Sequence, residues 1–302
     1  MVISSESTLK CLDIHASEVA QHPSIVEDLF FKHDYQGVIV REVIPKDCLE
    51  AIVQNLETNP TMQSVVLEHG TSDYKIPRVY GYSLTSSPED LTMYFQYAEK
   101  FRSGCREVFG DYFDFEERMF TILSALAGGL PVSVPTGPNQ ESFKPVGIRW
   151  MGDGREIKIH VGKDFLNGPG PSQLHHMVDD HNQLSYYIPL SLPEAGGELV
   201  IYNLCWNPEV IDSFKPLIIS EVKADRVVYN REQSDSVPED LTDQELKQYE
   251  HTVFAPGLGD MLLFNGGRYY HRVTPVIGHQ VRRTIGGFLG FSQDHDRLYS
   301  WH

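Results

Sequence analysis

The sequence has few cysteines, few basic residues and no long apolar run, and each shortage excludes a class of protein. The four cysteines, Cys11, Cys48, Cys105 and Cys205, are widely separated and form no CxxC pair. This argues against a zinc knuckle or a disulfide framework and suits a reducing compartment. Lys and Arg number 25 against 42 Asp and Glu, a net charge of −17, so we expect no nucleic-acid partner, because such binding depends on neutralising phosphates.

No apolar stretch approaches the roughly 18 residues that a transmembrane helix needs. The first ten residues show no basic start followed by an apolar block, so no signal peptide, no membrane partner and a cytoplasmic location are expected. The remaining composition, 41% hydrophobic and 22% charged over 302 residues, is typical of an ordinary globular protein.

Most helical signals lie in residues 1–145, which we predict to be a mainly helical buttress with substrate-side elements. Apolar residues at i, i+4 spacing after Pro45 predict one helix. Residues 87–90, Ser-Pro-Glu-Asp, fit a capping box with proline at the first helical position of a second. A third helix is expected over 115–127, ending at Gly128-Gly129.

From about residue 146 the sequence changes to short β-type runs separated by Gly, Pro, Asn and Asp. The predicted strands cover residues 146–151, 156–161, 184–190, 198–203, 260–264 and 283–291. Strands this short, with turn signals between them, predict an antiparallel sandwich or barrel. We expect 131–145 to be a connector, 212–250 to be an insertion with some helix at 242–249, and the helices to buttress the barrel, so that 1–302 is a single domain.

Two of the thirteen histidines, His160 and His271, lie beside two different predicted strands that should oppose each other. Because residues i and i+2 of a strand face the same side, positions 160 and 162 should point into one cavity. Two histidines with a carboxylate at i+2 of the first would form the facial triad of a non-haem iron oxygenase. Gly162 stands where that carboxylate would be. Histidines in polar loops, in turns or at the end of the sequence are not expected to be ligands; these are His175, His176, His181, His279 and His302.

Three segments around these histidines carry a family resemblance. They are LSYYIPL with PEAGGEL (184–190 and 193–199), GDMLLF (259–264), and HRVTPV with RRT (271–276 and 282–284). In this order they resemble the core of iron(II)/2-oxoglutarate oxygenases, whose motif is His-x-Asp/Glu…His…Arg. The glycine at 162 resembles the radical halogenases of that family. Over most of its length the chain is similar to the freestanding halogenases of hapalindole-type (welwitindolinone and ambiguine) alkaloid biosynthesis.

The resemblance implies an α+β, mainly β fold with a double-stranded β-helix (jelly-roll or cupin-like) core. It implies radical C–H chlorination with Fe(II), 2-oxoglutarate, O2 and chloride, releasing succinate and CO2. His160 and His271 would be the metal ligands, and Gly162 would admit chloride, which fills the space and supplies the charge of the missing carboxylate. The expected substrate is a free small molecule, an apolar polycycle or indole-alkaloid-type natural product, with no carrier protein.

Further residues are given roles alongside this resemblance. Ser185 is expected to face the iron and to favour chlorine transfer, the alternative being a serine bonded to backbone. Arg149 is expected to line the far end of the cofactor site, with a surface salt bridge as the alternative. Either Arg282 or Arg283 is expected to clamp 2-oxoglutarate, because strand alternation turns only one of them inward. Candidate substrate-pocket residues are Phe165, Tyr80 and Tyr82.

Three alternatives remain open at this point. A ligand from Asp164, or water in the vacated site, would give a hydroxylase. A non-catalytic metabolite-binding barrel would have lost its chemistry together with its carboxylate, although His271 and the two arginines are intact. A cupin-like zinc or manganese protein would require more than two histidines and no arginine clamp.

Overall fold

A computed structural model describes residues 9–69, 78–166, 168–179, 181–206, 219–223, 226–229, 246 and 248–302. The strands are β1 (Cys11–His15), β2 (Gly37–Arg41), β3 (Val66–His69), β4 (Arg78–Tyr80), β5 (Val132–Ser133), β6 (Gly147–Met151), β7 (Ile157–His160), β8 (Leu184–Ser191), β9 (Ala195–Gly196), β10 (Leu199–Cys205), β11 (Ile219–Lys223), β12 (Arg226–Tyr229), β13 (His251–Phe254), β14 (Met261–Phe264), β15 (Tyr269–Val273), β16 (Val276–Ile277), β17 (Arg282–Phe291) and β18 (Leu298–Trp301). The α-helices are α1 (Ile25–Glu27), α2 (Lys46–Thr58), α3 (Pro60–Gln63), α4 (Thr92–Phe109), α5 (Phe115–Leu126) and α6 (Gly162–Leu166).

The strands form a large and a small sheet. The major sheet runs in the order β1-β2-β14-β8-β17-β6-β4-β3-β12-β11, with β18 and β5 attached to β17. The minor sheet runs β13-β10-β15-β7, and a short pair, β16-β9, stands beside it. All pairings in the minor sheet are antiparallel, as are those of β14, β8, β17 and β6. This two-sheet antiparallel arrangement confirms the predicted α+β, mainly β class with a double-stranded β-helix core.

The helices cover the outer face of the major sheet. Helix α2 turns its Ile52 and Leu56 inward at i, i+4 spacing, and both are fully buried. They share one hydrophobic cluster with Ile188 of β8 and Ile285 of β17. Burying a side chain of this size contributes about 1.5–3 kcal/mol, so this face contributes much of the stability of the fold.

A second cluster fills the space between the two sheets. Met151, Leu262 and Phe264 of the major sheet pack there against residues of the minor sheet. The minor-sheet members are Leu199, Ile201, Tyr269 and Val273. This space is the barrel interior, and the residues predicted to bind the metal and the cofactor are the polar side chains that enter it.

The six predicted strands are all present, with bounds within two residues of those expected. The predicted starts of the first and third helices are also confirmed: α5 begins after Asp114, whose side chain accepts a hydrogen bond from Glu117 N (2.9 Å), and ends before Gly128 and Gly129, at φ +70° and +91°. Glycine reaches such positive φ without strain.

The capping box predicted over 87–90 is wrong. Helix α4 begins later, at Thr92, and Asp90 accepts hydrogen bonds from the Thr92 backbone N (2.9 Å) and hydroxyl (2.7 Å). An aspartate two residues before the first helical N–H satisfies it better than the earlier serine, whose hydroxyl donates to Ser83 O (2.9 Å) instead.

The N-terminal half also contributes strands that the sequence did not predict. β2 pairs with β14 and β4 with β6, so both belong to the major sheet. Within the predicted insertion the structure describes β11 and β12, and β12 pairs with β3. The predicted helix at 242–249 lies almost wholly outside the described residues, and the single-domain assignment stays a prediction. No helix in the described part of the chain is long and apolar enough to span a membrane.

Candidate functional site

His160 and His271 lie side by side in the minor sheet. They are direct partners in the β7–β15 ladder, and their ring centroids are 4.2 Å apart. His271 alternates with Tyr269 and Val273, which pack in the barrel interior, so its imidazole faces inward. His160 is its direct ladder partner, and directly opposed residues of an antiparallel pair project to the same face, so His160 faces the same side. The structure therefore brings the two predicted histidines together.

Backbone carbonyls orient both imidazoles. Nδ1 of His160 donates to Lys158 O (2.7 Å), and Nδ1 of His271 donates to Tyr269 O (2.9 Å). Each bond selects the tautomer whose lone pair is on Nε2, the arrangement found in metal-binding histidines. Burial lowers the pKa of His160 to about 4. Burial and the neighbouring His160 hold the pKa of His271 well below its usual range, so both rings are neutral at pH 7.

Gly162 is placed differently from the sequence prediction. β7 ends at His160 and α6 begins at Gly162, so strand alternation does not relate the two positions. The Gly162 N–H donates to Gly266 O (2.7 Å), and its carbonyl accepts from Gln183 Nε2 (2.9 Å). A Cβ added to Gly162 would clash with Gln183 Nε2 and lie 3.1 Å from Gly266 O. The backbone thus directs any side chain at 162 toward the Gln183 amide.

Ser185 lies on the interior face of β8. Its neighbours Leu184 and Tyr186 pack in the helix-side cluster, so alternation directs Ser185 the other way. It is buried, and a Cβ on Gly266 would clash with its hydroxyl. The hydroxyl makes no hydrogen bond with the residues that the structure describes, which does not support the alternative of a serine bonded to backbone. Through Gly266, Ser185 is next to Gly162.

Arg149 and Arg282 both enter the barrel interior. The Arg282 guanidinium lies 5.3 Å from the Tyr187 ring centroid, and its Nη1 is 3.7 Å from Met151 Sδ. Burial, with Arg282 nearby, lowers the pKa of Arg149 to about 10; burial likewise lowers the pKa of Arg282. Neither forms a salt bridge with a carboxylate of the described residues, so the surface salt bridge considered for Arg149 is not observed. Two cations without a salt bridge to a described carboxylate therefore face one interior.

Arg283 points the opposite way. It forms a salt bridge with Glu57 of α2, donates to Ser191 Oγ (3.2 Å), and lies over the Trp150 ring at 5.2 Å. Its charge is satisfied on the helix side of the sheet. Of the two predicted clamp residues, the structure supports Arg282 and corrects the assignment of Arg283.

The predicted substrate residues are not gathered around this site. Tyr80 is in the helix-side cluster, and Tyr82 is in a separate cluster, edge-on to Tyr97 with centroids 4.9 Å apart. Burial raises the pKa of Tyr82 to about 12. Both are buried in hydrophobic clusters, and their assignment to the substrate pocket stays a prediction. The side chains of Phe165 and Asp164 lie outside those that the structure describes.

Three interior residues were not predicted: Gln183, Tyr187 and His302. Gln183 and Tyr187 flank Ser185 at i−2 and i+2, so the alternation that selects Ser185 could have found both. His302 was not expected to be a ligand because it ends the sequence. It is only 3% exposed and stacks on Phe288 with centroids 6.0 Å apart. Its Nδ1 is buried and has no hydrogen-bond partner in the described part of the chain. No local signal marks His302, because the pairing of β18 with β17 brings it there.

The described residues contain no group of three or more His, Cys, Asp or Glu side chains arranged to hold a metal ion. A two-histidine site completed by non-protein ligands is consistent with what is present. The unneutralised Arg149 and Arg282 fit a dicarboxylate such as 2-oxoglutarate, and the absence of a side chain at 162 fits a monoatomic anion.

Comparison with solved structures finds distant similarity. An N-substituted L-amino acid dioxygenase from Burkholderia ambifaria AMMD is 14% identical, with 94% of this chain and 91% of that chain covered and a TM-score of 0.47. A 2OG-Fe(II) oxygenase family protein from Burkholderia pseudomallei is 12% identical, with 99% and 100% covered and a TM-score of 0.45. The non-haem, alpha-ketoglutarate-dependent epimerase SnoN of nogalamycin biosynthesis is 9% identical, with 91% and 85% covered and a TM-score of 0.47. No curated protein sequence matches the chain.

The sequence model of the carrier-protein-independent halogenase WelO5 matches residues 8–302. This match covers nearly the whole chain, including both histidines, Gly162 and both arginines. The chain belongs to the WelO5 family of carrier-protein-independent halogenases and is an Fe(II)/2-oxoglutarate-dependent oxidoreductase that uses O2 and chloride and acts on a free small molecule.

Proposed function

We propose that this enzyme chlorinates an unactivated C–H bond of an apolar polycyclic or indole-alkaloid-type natural product. The observation that carries the proposal is the pair of neutral, inward-facing imidazoles of His160 and His271 beside a position, Gly162, that has no side chain. A cytoplasmic location and the lack of nucleic-acid and membrane partners remain predictions from composition.

His160 and His271 are the proposed iron ligands. The carbonyls of Lys158 and Tyr269 hold the two rings in the tautomer that presents Nε2 to a metal. When bound together, iron(II), 2-oxoglutarate and dioxygen supply the oxidant that removes a hydrogen atom from the substrate, releasing succinate and carbon dioxide. The protein's contribution is positioning, because the substrate carbon must lie nearer to the halide than to oxygen.

Arg282 is the proposed clamp for the distal carboxylate of 2-oxoglutarate. Its planar guanidinium can donate two parallel hydrogen bonds to a carboxylate. Thr284 is two residues further along β17 and therefore faces the same side. Arg149, the direct ladder partner of Thr284, provides the second positive charge. Tyr187 packs against the Arg282 guanidinium and limits its movement.

Gly162 is proposed as the halide position and Ser185 as the residue that biases the outcome. Ser185 adjoins Gly266, whose carbonyl accepts the Gly162 N–H. A hydroxyl that bonds to none of the described residues can hold a water molecule at a fixed place by a hydrogen bond. Keeping oxygen there favours chlorine transfer to the substrate.

The substrate class is supported by the apolar residues beside the histidines. Phe264 lies edge-on to His271 with centroids 5.0 Å apart, and Leu262 and Tyr269 are in the same cluster. Apolar walls with a few polar groups suit an apolar ligand. The direct test is an anaerobic crystal structure with iron, 2-oxoglutarate and bromide, and we expect anomalous density from bromide beside Gly162. A water in that place at saturating bromide would favour hydroxylation instead.

Gly162→Asp tests the same assignment in solution. The new carboxylate would supply the missing iron ligand and its charge, and would exclude chloride. We expect chlorinated product to fall below detection, with hydroxylation or no turnover in its place, measured by product mass. Sustained chlorination by this variant would contradict the proposal. Iron binding measured anaerobically separates an inactive holoenzyme from a protein that has lost its metal.

A further inference from the structure

Gln183 is a buried polar residue that the proposed chemistry does not yet use. It immediately precedes β8, and its side chain is 1% exposed. Its Nε2 donates to Gly162 O at 2.9 Å. The carbonyl partner identifies this atom as the amide nitrogen, because an amide oxygen there would face another oxygen.

A primary amide nitrogen carries two hydrogens, and the bond to Gly162 uses one of them. The location of this nitrogen is unusual, since a Cβ built on Gly162 would clash with it. Gln183 Nε2 therefore lies where the first carbon of a side chain at 162 would be. The Gly162 N–H is already bonded to Gly266 O at 2.7 Å and is not available as a donor there.

We propose that the Gln183 side-chain amide donates a hydrogen bond to the halide bound beside Gly162. This inference rests on the proposed halogenase function. A hydrogen bond between a neutral donor and an anion is roughly twice as strong as one between neutral groups, and more so in a buried site. Glycine at 162 thus does two things: it supplies no carboxylate to compete with the anion, and it allows the Gln183 amide to lie where it can donate to the anion.

The alternative is that Gln183 only ties α6 to β8. A structural tie would affect iron and 2-oxoglutarate binding as much as halide binding, whereas a halide donor affects halide binding selectively. The test is therefore an anaerobic titration of the iron(II)·2-oxoglutarate complex with chloride, followed by visible absorption. Affinities for iron and 2-oxoglutarate are measured separately on the same samples.

We expect Gln183→Ala to raise the Kd for chloride about 10- to 100-fold, as for a lost hydrogen bond to a charged group. Gln183→Glu keeps the length of the side chain but places an acceptor beside the anion, and it should weaken chloride binding at least as much. Iron and 2-oxoglutarate affinities should stay within about twofold. Gln63→Ala is the matched control: Gln63 Nε2 donates to one backbone carbonyl, Leu56 O at 2.9 Å, outside the barrel.

An unchanged Kd for chloride in both Gln183 variants would overturn the inference and leave the proposed function intact. No chloride response from the natural protein would overturn both. The bromide crystal structure needs no variant: we expect bromide within hydrogen-bond distance of Gln183 Nε2. Bromide bound beside the two histidines but away from this nitrogen would overturn the inference even if the variants fail to fold.

Discussion

The two faces of the major sheet contrast in how they treat buried charge. On the helix side, Arg283 is neutralised by Glu57 and bonded to Ser191. On the barrel side, Arg282 is buried and Arg149 is partly buried, and neither has a salt-bridge partner among the residues described. The two faces are one residue apart in sequence at Arg282-Arg283.

The difference separates a charge that contributes to stability from charges that are available to bind a ligand. A buried charge without a partner costs free energy, because burial removes its hydration. The helix side avoids that cost by pairing the charge. In the interior the cost remains in the free protein, and an anionic ligand that binds there supplies the missing partner.

The largest expected effect comes from exchanging the two arginines for alanine one at a time. Arg282→Ala should raise the Kd for 2-oxoglutarate at least about 30-fold, because losing one partner of a buried charge pair costs 2–5 kcal/mol. Arg283→Ala should change that Kd by less than about threefold and lower the free energy of unfolding by about 1 kcal/mol. Anaerobic 2-oxoglutarate titration and urea unfolding measure both. An equal loss of 2-oxoglutarate binding in the two variants would break the contrast between the faces.

A smaller effect concerns Lys144, a fully buried lysine on the helix side that has no salt bridge to a described carboxylate. Its ammonium donates to Tyr80 O (3.1 Å) and lies 4.9 Å from the Phe101 ring centroid. Burial lowers its pKa to about 7, with Cys105 opposing the shift and Arg149 adding to it. Because the unfolded chain binds the proton more tightly, stability should rise with pH between about 7 and 10.5, by up to about 1.4 kcal/mol per unit.

Lys144→Met should remove this slope and raise the free energy of unfolding at pH 7. Urea unfolding at pH 7 and pH 9 gives the comparison, with the exposed Lys100→Met as the matched control. The free energy of unfolding could instead depend on pH equally in the natural protein and in Lys144→Met. Lys144 would then be charged in the folded state, and unpaired cations would not distinguish the barrel interior from the helix side.

The smallest expected effect is that of Ser185→Ala on product distribution. Loss of one hydrogen bond of about 1 kcal/mol should shift the ratio of chlorinated to hydroxylated product about fivefold toward hydroxylation. Product masses give the ratio directly. Ser191→Ala, at the other end of β8, is the control and should leave it unchanged. An unaltered ratio in Ser185→Ala would remove Ser185 from the mechanism.

Much of the fold follows from local pattern. The six strand segments from residue 146 onward and the helix over 115–127 agree with the structure to within two residues, because periodicity and turn chemistry are local properties. The exceptions depend on contacts with other residues. Asp90, and not Ser87, accepts the hydrogen bond from the first backbone N–H of α4. The short strands β2 and β4 form because β14 and β6 pair with them.

The candidate site was predicted in part for the same reason. Ser185 was expected to face the iron, and alternation along β8 predicts the same face for Gln183 and Tyr187. Alternation along β17 showed that Arg282 and Arg283 face opposite sides but not which one faces the interior. That choice depends on which face of the sheet the helices cover, and it is a property of packing.

The sequence by itself determined the identity of the chemistry: two histidines, a glycine in place of an acid, and an arginine pair at the right places along the strands. These are choices of functional group, and no folding changes them. Only the tertiary structure decided which groups meet. The pairing of β7 with β15 places His160 beside His271, the helix layer neutralises Arg283 and leaves Arg282 inside, and the pairing of β18 with β17 buries His302. The physical reason is that direction and burial arise from contacts between segments far apart in the chain, which local periodicity does not contain.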